Sequence, residues 1–196
     1  MLGFGDHSYR LLAPGDIPAA RAHLEGFDTE DLFQHFHQFM EAEDFDAWAS
    51  RALDHDLIGC FARGQLVGLA EIAYDEAECE IALSVDPDQR GRGIGTQLFE
   101  RACARARERG FPRAAVLISR GDRPMIDLAV RHDGYTAYKR GESLIMPGAR
   151  HSLLSCLIFD LEHMPPTDLF GKAVRNVRVA LGLEEERSTA NLRSRD

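Results

Sequence analysis

Apolar and polar residues alternate from Cys79 to Val85, whereas from Gly93 to Arg109 the apolar ones recur every fourth position. Ile94, Leu98, Ala102 and Ala106 make that stripe, Phe99 and Cys103 flank it, and Arg101, Arg105, Arg107 and Glu108 fall elsewhere. A period of two predicts a strand and a period near 3.6 predicts an amphipathic helix, so the stretch reads as strand, turn, helix. The same reading places a short strand at Tyr9 to Leu12 and a helix from Asp16, as N-cap, to Leu24. A second helical region runs from about Thr29 to Leu53, broken near Ala42-Glu43-Asp44. Leu57 to Arg63 and Leu66 to Tyr74 form a hairpin about Gly64-Gln65. Ala114 to Ile118 follows as a buried strand, then a helix from Pro124 to about His132, then strands at Tyr135 to Lys139 and Leu153 to Leu161. Pro165-Pro166 marks a boundary before a last helix that carries Phe170, Val174, Val177 and Leu181 on one face. The polar tail from Glu184 onward is expected to be disordered.

The turn between the alternating and the four-residue pattern carries the chemistry. It reads Arg90-Gly91-Arg92-Gly93-Ile94-Gly95-Thr96, and its glycines allow positive φ and close approach to a ligand. The first amides of the following helix lack intrahelical partners and face the positive end of its dipole, so a pyrophosphate is the natural occupant. No lysine follows Gly95, which excludes a Walker loop. The spacing Gly91-x-Gly93-x-Gly95, mid-chain, departs from a dinucleotide fingerprint.

Composition narrows the picture further. The chain has 196 residues and 44% hydrophobic content, enough for one cored domain with an appendage. No run approaches the ~20 apolar residues of a membrane span. A net charge of −9 argues against a nucleic-acid partner. Cys60, Cys79, Cys103 and Cys156 are far apart, and Met1 to Asp6 shows no export signal, so buried thiols in a reducing cytoplasm are expected. His35 and His37 lie two apart on a helix without a third ligand, so no metal is expected.

The pattern Arg90-x-x-Gly93-x-Gly95, directly after Ser84-Val85-Asp86-Pro87, resembles the acetyl-CoA loop of the GNAT superfamily of N-acetyltransferases. The element order from Tyr9 to Leu161 is similar to that family's as well. The resemblance implies an α/β fold with a mixed, mostly antiparallel sheet flanked by helices. The acetyltransferase domain would span residues 1–164, with a C-terminal helix and tail over 165–196. It implies acetyl-CoA as co-substrate, held by Leu83, Ser84 and Val85 and by Gln89, Arg90, Gly91, Arg92, Gly93, Ile94, Gly95 and Thr96. Looser local likeness links Asp16-Ile17-Pro18-Ala19-Ala20, Phe27-Asp28-Thr29-Glu30 and His35-Phe36 to bacterial protein-lysine acetyltransferases that act on acyl-CoA synthetases. The strand Cys79-Glu80-Ile81-Ala82-Leu83-Ser84-Val85 fits that subgroup too. A protein lysine is then the favoured acceptor and a small-molecule amine the second.

Transfer to an amine needs a base and a stabilised oxyanion. Glu80 shares a strand face with the small residues Ala82 and Ser84 and is the candidate catalytic base. Glu78 on the same face is its runner-up, and Glu71 on the preceding strand is a third choice. Where the family often has a tyrosine acid, the helix that starts near Pro124 holds Ala129 and Val130, which leaves Tyr135 and Tyr138 as poorer substitutes. Where an asparagine often contacts the cofactor, this chain has Asp122, an acceptor only. These departures keep a second class open, a catalytically silent module that binds CoA as a sensor. Phe27, Phe33, Phe36, Phe39, Phe45 and Trp48 read as core and cap. The acids among them, Glu30, Asp31, Glu41, Glu43, Asp44 and Asp46, read as a solvated face or a lure for a cationic acceptor. The apolar stripe of the last helix must be buried, against the sheet edge or a second copy of the chain in a homodimer.

Overall fold

The computed structural model describes residues 7–75, 78–119, 122–132, 134–137 and 154–161. The chain opens with β1 (His7–Leu11), a 3₁₀ turn at Pro14–Asp16 and α1 (Ile17–Glu25). Two short helices follow, α2 (Thr29–Phe36) and α3 (Ala42–Arg51). Then come β2 (Asp56–Ala62), β3 (Gln65–Tyr74) and β4 (Cys79–Val85). Another 3₁₀ turn at Pro87–Gln89 leads into α4 (Ile94–Glu108), β5 (Arg113–Ser119) and α5 (Arg123–Arg131). β6 (Tyr135–Ala137) and β7 (Leu154–Asp160) complete it. The seven strands lie in the order β1-β2-β3-β4-β5-β7-β6, and β4–β5 is the parallel pair.

The two faces of the sheet carry separate cores. Cys79 and Ile81 of β4 pack with Ile94, Leu98, Phe99, Ala102 and Cys103 of α4, as the four-residue period requires. At Gly68 a Cβ would meet Leu98 Cδ1 at 3.0 Å and Ile94 Cγ2 at 3.1 Å, so the bare backbone of β3 lets α4 sit this close. On the opposite face Leu24, Phe45, Trp48, Leu57 and Leu69 hold α1 and α3 to the sheet.

Three local expectations change. The break in the second helical region comes at His37, whose left-handed φ of 55° ends α2, and not at Ala42-Glu43-Asp44, which opens α3. Glu41 N–H donates to Asp44 Oδ2, so that acid starts a helix instead of stopping one. Asp16 does not cap α1 with its side chain, because the carboxylate accepts from Nη1 and Nη2 of Arg10 and from the Ala13 N–H. The hairpin turn is Arg63-Gly64, both at positive φ, which places Gln65 inside β3. Cys60, Cys79 and Cys103 are buried free thiols. Tyr138, Lys139, Leu153 and the C-terminal helix and tail lie outside the described residues, as does the boundary at Pro165.

Candidate active site

β4 and β5 are registered only at Cys79↔Ala114 and Glu80↔Ala115. Beyond Glu80 the two strands part, and among the described residues the β4 edge from Ile81 to Val85 has no strand beside it on the β5 side. An extended ligand can add there through backbone hydrogen bonds. Leu83 and Val85 lie along this opened stretch, with their side chains turned to the α4 core. The chain then turns through Pro87–Gln89 and enters α4 with Gly91 at φ 74° and Gly93, its N-cap, at φ 80°. Gly95 does not need positive φ; its Cβ would sit 3.8 Å from Val85 Cγ2 in ordinary contact. The first helical bond runs from Gln97 N–H to Gly93 C=O at 3.0 Å, so the amides of Ile94, Gly95 and Thr96 are left for an outside acceptor. A parted strand edge ending in free amides fits the pantetheine and pyrophosphate of CoA.

The cationic residues of the loop are employed differently from expectation. Arg90 Nε donates to Val85 C=O at 3.0 Å, and its Nη2 donates to Asp31 Oδ2 of α2 at 2.7 Å. Arg90 is therefore a strut between loop and helix rather than an unengaged phosphate ligand. Arg92 Nη2 donates to Asp88 C=O, and with Gln89 it faces an open groove bounded by Arg10, Phe61 and Arg63. Arg131, at the end of α5, brings Nη2 to 3.4 Å from Thr96 Oγ1. That places a further cation at the α4 N-terminus, which no sequence spacing had indicated.

Cross-strand register assembles the other side of the site. Ser84 lies opposite Leu69, Ala82 opposite Glu71, and Glu80 opposite Ala73, so Glu80, Glu71 and Ser84 share one face. Glu80 is exposed at the last paired position before the strands part. Glu71 is buried: Trp48 Nε1–H donates to it at 2.9 Å, and His55 Nδ1 lies 2.6 Å away. Burial would lift its carboxyl, but His35, His55 and Trp48 together outweigh that and hold it well below the ordinary carboxylate range. Glu71 is thus a fixed charge and a poor base. Ser84 Oγ is 3.0 Å from His23 Nε2, while His23 Nδ1 is 2.9 Å from Asp86 Oδ1 but off the hydrogen-bonding line. Burial and the neighbouring His35 charge push both His23 and His37 down to about 4. The role of Asp122 is local, since its carboxylate caps α5 by accepting the Met125 N–H at 3.1 Å. The acids of α2 and α3 are mostly engaged too. Asp28 caps α2, Asp31 holds Arg90, and Asp46 holds Arg21.

Among the described residues no set of three His, Cys, Asp or Glu side chains is arranged for a metal, and no helix is long and apolar enough to cross a membrane.

Residues 21–135 match the acetyltransferase (GNAT) family, and the chain belongs to it. It is an acyl-CoA N-acyltransferase with acetyl-CoA as co-substrate. The GNAT domain of S. lividans PAT superposes with a TM-score of 0.62 at 19% identity, over 78% of this chain and 89% of that one. YncA of Salmonella typhimurium, a putative acetyltransferase solved with acetyl-CoA, gives 0.59 at 14% identity over 84% and 99%. The Escherichia coli ribosomal-protein-S18-alanine N-acetyltransferase gives 0.60 at 16% over 84% and 99%. No curated protein matched the sequence.

Proposed function

We propose that this protein moves the acetyl group of acetyl-CoA onto a primary amine by direct attack, with Glu80 as the base and a protein lysine as the favoured acceptor. The observation that carries the reading is the position of Glu80. It is an exposed carboxylate at the last β4–β5 pair, on the face opposite the α4 core, where the open strand edge begins. An amine entering over Ala82 meets that carboxylate and the cofactor edge together. The opened edge of Leu83 and Val85 and the amides of Ile94, Gly95 and Thr96 supply the cofactor cradle. The parted strands align the two reactants, which is the larger part of what such a transfer requires.

For the acceptor, support comes from the local likeness at Phe27 to Phe36. A structural neighbour named for phosphinothricin keeps a small-molecule amine as the second choice. Release of CoA thiol across a panel of lysine peptides, polyamines and amino compounds tests the assignment. Turnover of a lysine peptide above the others supports it. Thiol release with none of them leaves the silent CoA-binding module.

A further inference from the structure

On the hairpin side of the cofactor loop lies a groove that the transfer does not use. It encloses about 1140 Å³ between β1, the β2–β3 turn and the loop, and His7, Arg10, Arg63, Gln65, Gln89 and Arg92 supply much of its polar lining. The whole chain carries a net charge of −9, yet among the described residues no Asp or Glu lines this groove. Arg10 is balanced by Asp16 and lies 4.4 Å from the Phe61 ring centroid, so the two form one amphipathic wall. Arg63 has no ion pair among the described residues, and Arg92 meets a backbone carbonyl, that of Asp88, rather than a carboxylate. Two unmatched cations thus face the groove, and such a surface favours an anionic partner. The cations are strung out, not gathered at a point. Arg10 is registered against Gly59, and Arg63 follows Gly59 on the same stretch of chain, roughly 13 Å further at strand rise. An extended peptide sets alternate side chains on one side roughly 6.6 Å apart, so a segment with acids at every second position matches that spread. A nucleic acid needs a wider basic footprint than this. The nucleotide end of CoA has a cation on the other flank of the α4 N-terminus, Arg131 beside Thr96.

We propose that this groove docks an acidic, extended segment of the protein that carries the acceptor lysine. The proposal rests on the lysine acetylation argued above and adds a distance to it. Glu80 is registered against Ala73, and Gln65, in the groove, opens the same strand β3. From Gln65 to Ala73 is roughly 26 Å at strand rise. An acceptor with its lysine at Glu80 and its acids in the groove therefore holds them about eight or more extended residues apart. Arg63 and Arg92 supply the charge, the Gln65 amide a donor, and Phe61 an apolar surface for the residues between the acids. Docking of this kind raises the local concentration of the lysine without touching the reacting atoms, so it acts on KM and leaves kcat alone.

The test uses the full chain and a fluorescein-labelled heptapeptide of alternating glutamate and alanine that contains no lysine. The wild type should bind it, with a Kd that rises steeply with salt. Arg63→Glu and Gln65→Glu, at two exposed positions of the groove, should each weaken binding by about tenfold or more, and either suffices where the other does not fold. Arg107→Glu changes the net charge as much as Arg63→Glu does, but in the last turn of α4, and should leave Kd within about twofold. With acetyl-CoA present, a peptide whose acidic run lies about eight residues from its lysine should show a KM about tenfold below that of the same peptide with alanines there, at equal kcat. No binding by the wild type, or equal losses from Arg63→Glu and Arg107→Glu, overturns the proposal, and so does an equal KM for the two peptides. If Arg63→Glu also loses the melting-temperature rise with acetyl-CoA, the groove belongs to the nucleotide end of the cofactor and the proposal falls. A wild type that acetylates neither peptide nor any amine sinks the proposed function instead, and the heptapeptide binding then decides the groove by itself.

Discussion

The loop on one side of β4 and the histidine-lined roof on the other are built by opposite means. The loop is ten consecutive residues, Pro87 to Thr96, and it offers backbone: two glycines at positive φ and three helix-end amides. The roof is side chains brought together from α1, α2, α3, β3 and β4, namely His23, His35, Trp48, Glu71 and Ser84. A backbone cradle has a fixed charge pattern and is indifferent to moderate pH. A side-chain roof holds groups whose charge must be balanced, and so it is where pH and substitution are felt. In the proposed reaction, phosphate recognition falls to the backbone after β4 and proton handling to side chains over its face.

The largest expected effect separates chemistry from cofactor binding. Glu80→Gln should lower kcat by roughly 10²–10⁴ and leave acetyl-CoA affinity near wild type, since the side chain is exposed and lies away from the loop. The deficit should shrink as pH rises, because a lysine amine has a reference pKa of about 10.4 and more of it becomes free. If Glu78→Gln reproduces the loss and Glu80→Gln does not, the assignment is one same-face step out. The mirror experiment is Gly93→Val, which forces a branched side chain to φ 80° at the N-cap. At a hundred times Kd a ligand contributes about 2.7 kcal/mol to folding stability. The melting-temperature rise reporting that gain should vanish in Gly93→Val, and a rise equal to wild type would remove the loop from cofactor binding.

The same contrast explains which features were readable from the sequence. β4, α4 and the glycine turn were legible to within a residue at each boundary, because period and turn chemistry are local. Strand pairing was legible only as far as the hairpin, so Glu71 beside Ala82 could be suspected but not its lock by Trp48 and His55. The break at His37 was misplaced because a non-glycine residue in the left-handed region leaves no compositional mark. The pairing of Arg90 with Asp31 was not legible, because the two lie 59 positions apart. Nothing in the spacing of His23, Ser84 and Asp86 announces that they meet.

Two measurements probe whether the roof is the pH-sensitive half. The unfolded reference for His23 is about 6.5, and burial lowers the folded value to about 4. Between these values the unfolded chain binds more protons, so stability is fully present above about pH 6.5 and is lost as pH falls toward 4. By linkage the loss is up to roughly 3 kcal/mol, with His37 acting in the same direction. Urea unfolding at pH 7 and pH 5 should show the fall, and His23→Gln should flatten it; equal midpoints for the wild type would place the sensitivity elsewhere. Trp48→Phe leaves a buried carboxylate short of one donor and should cost about 1–3 kcal/mol at neutral pH. A loss below about 0.5 kcal/mol would mean that the two histidines suffice to hold Glu71.

The smallest stability effect is the most informative about how the halves are joined. Asp31 and Arg90 form the strut between roof and loop, and with side chains 23% and 45% exposed the pair should contribute less than about 1 kcal/mol. Asp31→Asn keeps the shape and removes the charge, so unfolding should barely change. It also leaves the Arg90 guanidinium without its counter-ion beside the α4 N-terminus, where a pyrophosphate gains from any added positive charge. Acetyl-CoA binding should therefore hold or tighten by a few-fold, with a steeper salt dependence. The acceptor side should respond in the opposite sense, because α2 loses its tie to the loop, and KM for the amine should rise with little change in kcat. A parallel rise in both constants would show that the strut serves the loop itself. Unchanged constants on both sides would leave Arg90 and Asp31 as an ordinary surface pair and the two halves of the site independent.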